Sequence, residues 1–194
     1  MRASMTTPSR PMDEGFTLIE LLVYVSLFAI VLFIVAGFMI SSLKAERDVS
    51  SGAEATNSGQ LISTSVQAAV RNGSAVRATV DAAENEMLTV RTRGAAASFV
   101  CRAFYYSASN DAVYVKSSAL AIALPTKNPA GGWTLLGSRI TPIGGAGVFS
   151  STSDVSATMN FDIVAGSRGP VRIVTTVHTR DTRINALETA PCFS

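Results

Sequence analysis

An apolar run near the amino terminus constrains this 194-residue chain more than any other feature. From Phe16 to Ile40, 21 of 25 residues are apolar and Glu20 is the only charged one. A helix of about 20 apolar residues is long enough to cross a bilayer. A carboxylate in such a helix costs about 2.5–3.5 kcal/mol at the bilayer centre and less near its edge. The run therefore predicts a membrane-spanning helix in which Glu20 has a partner or a specific role.

Two ordinary explanations of the run fit it incompletely. A removable secretory signal has a shorter apolar region followed by a small-residue cleavage site, and no such site occurs before Lys44. A plain signal anchor fits the length, and Arg2 and Arg10 favour a cytoplasmic amino terminus. A plain anchor gives no reason for Glu20.

The sequence from Gly15 to Glu20, followed by Leu21-Leu22-Val23, resembles the class III signal of type IV prepilins and type II secretion pseudopilins. The resemblance implies that a membrane peptidase cuts between Gly15 and Phe16 and methylates the new amine of Phe16. Glu20 would then neutralise an amine, either its own or that of the next subunit, and in the second case would set the register of a filament. Opposite charges in a low-dielectric medium attract by several kcal/mol, although desolvation removes much of this.

The same resemblance implies a set of partners and a location. The partners are the prepilin peptidase/methylase, other pilin subunits, the inner assembly platform and membrane lipid; no cofactor is expected. The protein would cross the cell membrane once, with its amino terminus cytoplasmic before processing. It would then join an extracytoplasmic filament on the cell surface.

Beyond the apolar run the pattern stays helical but becomes polar. Ile62, Val66 and Val70 recur at intervals of four and form one apolar stripe, and Asn72-Gly73 is a helix stop. Gly52 and Gly59 weaken the middle of this segment. The predicted organisation is a leader (1–15), a transmembrane and filament-core helix (16–42), an amphipathic half of the same helix (43–72), and a β-rich globular head (73–194).

After Gly73 the pattern is typical of β-strands, because apolar and polar residues alternate. This alternation predicts an antiparallel sheet that is covered on one face by the amphipathic half-helix. The predicted fold class is α+β and pilin-like. The predicted strands are Met87–Arg93, Ser98–Tyr106, Asp111–Lys116, a short strand near Trp133, Ala157–Val164 and Val171–Thr179, with hairpins at 107–110 and 165–170.

The chain has two cysteines, Cys101 and Cys192. If the head lies outside the cytoplasm, a disulfide between them is expected, and otherwise they remain two thiols. A loop of some ninety residues predicts about 4–5 kcal/mol of stabilisation in the chain-entropy model.

Catalytic and metal-binding motifs are not recognisable in the sequence. There is one histidine, His178, on the polar face of a predicted strand, and the carboxylates are scattered. We therefore expect a protein that is not an enzyme. From Met87 onward, ten Lys or Arg face five Asp or Glu, and a shared exposed face would make a nucleic-acid or acidic-polymer patch. The candidate residues for that patch are Arg91, Arg93, Arg102, Arg172 and Arg180.

These observations predict a structural subunit of a type IV pilus or of a related type II secretion or competence filament. The large, loop-rich head favours a minor subunit. The alternative is a signal-anchored binding or adhesion protein, or a DNA-capturing pilin at the filament tip.

Overall fold

The computed structural model describes residues 17–93, 98–125, 129, 131–180, 192 and 193. These residues form one long helix followed by nine strands. The chain divides into two compact units, Met1–Glu46 and Arg47–Ser194. The elements are α1 (Leu18–Arg71), β1 (Gly73–Val80), β2 (Glu86–Arg93), β3 (Phe99–Ser107), β4 (Ala112–Ser118), β5 (Thr134–Ser138), β6 (Ile140–Pro142), β7 (Phe149–Ser153), β8 (Ser156–Ala165) and β9 (Arg168–His178).

The described part of the first unit is the start of α1. Between Leu18 and Glu46 no residue of the helix is buried, although most of the side chains as far as Leu43 are large and apolar. Its length and composition suffice to cross a membrane. The predicted apolar helix is therefore present, and its apolar surface lacks cover from the described chain.

The second unit begins with the rest of α1, which is amphipathic in the predicted way. Ile62, Val66 and Val70 are fully buried. Gly59 is buried as well, and a Cβ added there would lie 3.3 Å from the Cδ1 atoms of Ile163 and Ile173. Glycine therefore allows the helix to approach the head closely at a position where the sequence alone suggested only a weak point.

The described residues of the head form two antiparallel sheets. The first sheet has the strand order β1-β2-β3-β4-β5. In the second sheet β8 is central, since β9 pairs along its length while β6 and β7 pair with different parts of it. The hairpins β3–β4 and β8–β9 confirm the two predicted hairpins. Strands β1, β6 and β7 were not predicted.

A main hydrophobic core is formed where the stripe of α1 meets one face of each sheet. Leu88 and Phe104 contribute from the first sheet, and Met159 and Phe161 from the second. Side chains alternate along a strand, so the facing pairs Leu88↔Phe104 and Val90↔Arg102 mark this side of the first sheet as its inner face.

The outer face of the first sheet is also covered, so the prediction of a sheet with one covered face is wrong. Met87, Cys101, Ala103 and Tyr105 are buried there. Together with Ile122 and Cys192 they form a second cluster. The physical reason is visible in β3, where apolar residues occupy consecutive positions as well as alternating ones, a pattern typical of a strand buried on both faces.

The chain passes from the first sheet to the second at Arg139, between β5 and β6. Arg139 has a φ of 61°, a left-handed conformation that is uncommon for a residue with a side chain. Its guanidinium forms an ion pair of 2.8 Å with Glu54 of α1. The backbone N–H of Ile140 donates to the carbonyl of Asp111, so the corner is fixed from two sides.

Candidate functional site

The helix start is organised by Thr17. Its carbonyl accepts hydrogen bonds from the backbone N–H groups of Glu20 (3.0 Å) and Leu21 (3.2 Å). Its Oγ1 accepts a longer bond, 3.4 Å, from the N–H of Glu20. Thr17 is thus the N-cap of α1 and Glu20 is its third residue, the spacing of a capping box. The pattern Thr-x-x-Glu was available in the sequence and explains the helix start, although the sequence analysis used Glu20 only as a charge.

The carboxylate of Glu20 lies on an exposed part of the helix. Its Oε1 accepts a hydrogen bond of 3.4 Å from the hydroxyl of Tyr24, one turn along. Among the described residues, neither of the two ion pairs involves Glu20. A carboxylate in the first turn is favoured by the helix dipole and here remains open to a cation from outside the described chain.

The other two residues of the predicted processing site, Gly15 and Phe16, lie outside the described residues. Their roles as cleavage site and methylated terminus stay predictions. The described structure begins just after this site, with a capped helix that starts two residues after Phe16.

Residues 10–36 match the model of the prokaryotic N-terminal methylation motif. The chain carries a prepilin-type methylation motif. No curated protein and no solved structure matches this chain. Together, this motif, the long apolar helix and the antiparallel sheets make the chain pilin-like in both its amino-terminal signal and its fold.

The disulfide of the pilin-like head joins Cys101 on β3 to Cys192, with the two Cα atoms 5.3 Å apart. Both cysteines are buried, at 0% and 4% exposure. The bond holds residues 192 and 193 against the outer face of the first sheet, where Phe193 packs on the second cluster. The expected pairing is therefore confirmed, and it is part of a local core.

The five arginines of the predicted patch do not all share one face. Arg91 and Arg93 lie on the outer face of the first sheet, as their partners Cys101 and Phe99 show, whereas Arg102 pairs with Val90 on the inner face. The other two lie elsewhere: Arg172 is in the second sheet, and Arg180 follows β9 and donates its N–H to the carbonyl of Arg71.

Several of these arginines already have partners. Arg172 forms two hydrogen bonds of 3.0 Å with the carboxylate of Asp162. Arg91 is 6% exposed, donates from Nε to Ser74 Oγ, and lies over the ring of Phe99. Arg102 lies over the ring of Phe104. Within the described chain, its buried Nε has no hydrogen-bond partner.

Arg77, which was not predicted from the sequence, lies on the same outer face as Arg91 and Arg93. It pairs with Thr89 across β1 and β2. Its guanidinium lies 4.9 Å from the ring centre of Phe193. Because β1 was not recognised as a strand, its residues were not assigned to either face of the sheet.

A buried carboxylate, Glu86, was missed as well. Its two oxygens accept hydrogen bonds from the backbone N–H groups of Val148 (3.0 Å) and Phe149 (2.6 Å). These bonds join the first strand pair of one sheet to the start of β7 in the other. A Cβ on Gly147 would lie 2.7 Å from Glu86 Oε1, so glycine leaves room for the carboxylate.

The surroundings of Glu86 raise the pKa values of two side chains, Glu86 itself and Tyr106. Burial raises the pKa of the Glu86 carboxyl, and the hydrogen bonds from Phe149 and Val148 oppose that shift. Its neighbour across the sheet is Tyr106. Burial, and then the charges of Asp111, Glu86 and Glu84, raise the pKa of Tyr106 to about 12.

The described residues contain no cluster of three or more His, Cys, Asp or Glu side chains that could hold a metal ion. His178 is exposed at the end of β9. Within the described part of the chain, the features with a recognisable role are the capped start of α1, the buried carboxylate of Glu86 and the disulfide-closed outer face.

Proposed function

We propose that this pilin-like protein is a prepilin that is cut after Gly15, methylated at Phe16, and assembled into a type IV pilus or a related secretion or competence filament. The observation that carries the proposal is the methylation motif at residues 10–36. It lies at the start of a helix whose apolar side chains the described chain leaves exposed. In this role the protein is a structural subunit, and the peptidase/methylase performs the chemistry on it.

The exposed apolar helix requires a non-aqueous environment. Each fully exposed Leu, Val, Ile or Phe forgoes about 1.5–3 kcal/mol of transfer free energy. Lipid provides this environment before assembly, and the helices of neighbouring subunits provide it afterwards. The same segment therefore acts first as a membrane anchor and later as the core of a filament.

Glu20 acts at the transfer between these two environments. In the processed chain the amine of Phe16 carries the nearest new positive charge. The amine of Phe16 in the same chain lies next to the N-cap, where the helix dipole disfavours a cation. A carboxylate exposed in the first turn is better placed to bind the amine of an adjacent subunit, and this contact fixes the register between the two helices.

Processing is tested by mass spectrometry of the amino-terminal peptide from the exported protein. The proposal expects a chain that begins with N-methylated Phe16. Gly15→Val should leave the leader attached, because a branched side chain replaces the hydrogen at the cleavage position. Recovery of wild-type protein that retains Met1 would show that the motif is not a processing signal here.

Assembly is tested separately with Glu20→Gln, which removes the charge while keeping the shape of the side chain. Glu46→Gln is the matched control, because it lies on the same exposed part of α1 outside the apolar run. We expect both variants in the membrane fraction, and a reduction of about tenfold or more for Glu20→Gln in sheared filaments, as for loss of a charge-assisted contact of about 1.5–3 kcal/mol. Equal amounts of the two variants in filaments would contradict a role of Glu20 in register.

The finer assignment as a minor subunit rests on the loop-rich head. It predicts that the chain is outnumbered by another subunit in purified filaments. Quantitative mass spectrometry of those filaments decides the point, since a chain that forms their bulk is a major subunit.

A further inference from the structure

A cavity of about 200 Å³ opens on the outer face of the first sheet, beside the disulfide. Met87 forms part of its lining from β2, while Ile122 and Leu124 line it from the segment after β4. Phe193 closes another side. Among the described residues, the lining is apolar apart from Arg77 and two threonines, and Phe193 is the aromatic side chain in it. The proposed filament role does not use this cavity.

Arg77 supplies the charge of the cavity. It is exposed, and its guanidinium lies over the ring of Phe193. A guanidinium has five N–H donors in a planar fork, and a carboxylate can accept two of them at once. Among the described residues, the recorded ion pairs do not include Arg77.

The charged residues at the outward strand positions of this sheet are all basic. The outward positions of β1 to β4 carry Arg77, Arg91, Arg93 and Lys116, as the strand register shows. None of the outward positions on the described strands of this sheet is Asp or Glu. Such a surface attracts an anion and disfavours a cation.

We propose that this cavity binds the carboxyl terminus of a peptide whose last residue is aliphatic. The aliphatic side chain fills the space beside Met87, Ile122 and Leu124, and the terminal carboxylate pairs with Arg77. In a carboxy-terminal residue both groups are attached to one Cα, which suits a small apolar cavity with a single cation at its mouth. A long acyl chain is too large for about 200 Å³. A nucleobase lacks a free aromatic face to stack on, because Arg77 already covers the ring of Phe193.

The experiment uses the full chain in lipid nanodiscs with ¹³C-methyl-labelled methionine. The Met87 methyl resonance, assigned with Met87→Leu, reports directly on the cavity. The probe is N-acetyl-Gly-Gly-Leu with a free carboxylate, and its comparison is the same peptide with a carboxamide end. We expect a saturable shift of Met87 with the acid, and binding about twofold to fivefold weaker with the amide, as for loss of one exposed ion pair.

Arg77→Gln should weaken binding of the acid by the same factor and leave binding of the amide unchanged. Arg93→Gln is the control, since it removes an equal charge from the same face but does not line the cavity; its effect should be less than about twofold, because salt screens exposed charges. If the acid and the amide bind Arg77→Gln and the wild type equally, or if neither shifts Met87, the proposal is wrong. Tighter binding of 4-methylpentanoate or of a short oligodeoxynucleotide than of the peptide would also overturn it.

Discussion

The two units of this protein differ in whether their apolar side chains and carboxylates are buried or exposed. In the described part of the first unit, apolar side chains from Leu18 to Leu43 are exposed, and the carboxylate of Glu20 has Tyr24 as its recorded side-chain partner. In the second unit, the stripe of α1 is fully buried and the carboxylate of Glu86 accepts hydrogen bonds from two backbone N–H groups. The second unit covers its apolar stripe and pairs its buried carboxylate within one chain, whereas the described apolar side chains of the first unit are left exposed.

The contrast shows that a continuous helix does not imply a uniform environment. The backbone of α1 runs from Leu18 to Arg71 with its own hydrogen bonds, whereas burial depends on what lies beside it. Substitutions matched between the two units should therefore differ in their effect on the stability of the head, and the following three experiments measure that difference.

The largest difference is expected for apolar truncation. Ile62→Ala should lower the free energy of unfolding of the head by about 2–5 kcal/mol, because Ile62 is fully buried in the main core. Val31→Ala, at an exposed position of the first unit, should leave it unchanged. Urea unfolding of the full chain in detergent, followed by the fluorescence of the single tryptophan, Trp133, measures both. Equal losses would mean that the first part of α1 also supports the head.

An intermediate difference is expected for the two carboxylates. Glu86→Gln turns an NH₂ group toward one of the two backbone N–H donors and leaves that donor unsatisfied, at a cost of about 1–3 kcal/mol. Glu20→Gln should leave the stability of the head unchanged. The same urea titration separates them, and an unchanged midpoint for Glu86→Gln would show that the two hydrogen bonds to β7 contribute nothing.

The pH dependence of the Glu86 variant has a definite sign. Since burial raises the pKa of Glu86 above its ordinary 4.5, ionisation costs stability in the wild type as pH rises from 4.5 through the folded-state pKa. Glutamine does not titrate. The stability lost on substitution should therefore be larger below pH 4.5 than at neutral pH, and the reverse trend would contradict the direction of the shift.

The smallest difference is expected for the exposed ion pair of the second sheet. Asp162→Asn should cost at most about 1 kcal/mol, because a surface pair gains little in water. Arg172 holds the pKa of Asp162 below its ordinary 3.8. The stabilisation from this ion pair is present above pH 3.8 and is lost as pH falls through the folded-state pKa of Asp162. The pH dependence of stability from Glu86 has the opposite direction. Glu46→Gln in the first unit is the control, and a pH-independent effect of Asp162→Asn would show that the pair is not formed in solution.

Features that depend on residues close together along the chain could be predicted from the sequence. The motif from Gly15 to Glu20, the stripe at Ile62, Val66 and Val70, and the two hairpins each depend on positions close together along the chain. The pairing of Cys101 with Cys192 was accessible as well, because only two cysteines exist.

Features that depend on distant contacts could not be predicted. Glu86 binds N–H groups more than sixty positions away, and its own sequence, Asn85-Glu86-Met87, resembles any polar start of a strand. The strand β1, Gly-Ser-Ala-Val-Arg-Ala-Thr-Val, has small residues in place of a clear alternation, so Arg77 was not placed. The division into two sheets follows from the corner at Arg139, whose conformation is set by partners in α1 and the β3–β4 turn.

The disulfide also affects the order in which parts of the head can form during synthesis. Cys192 follows Cys101 by 91 residues. During synthesis from the amino end, Cys101 therefore cannot form its disulfide until β4 to β9 have been added. The outer face of the first sheet is therefore the last part of the head that can close. A disulfide at Cys101 therefore marks a chain whose synthesis has proceeded through residue 192.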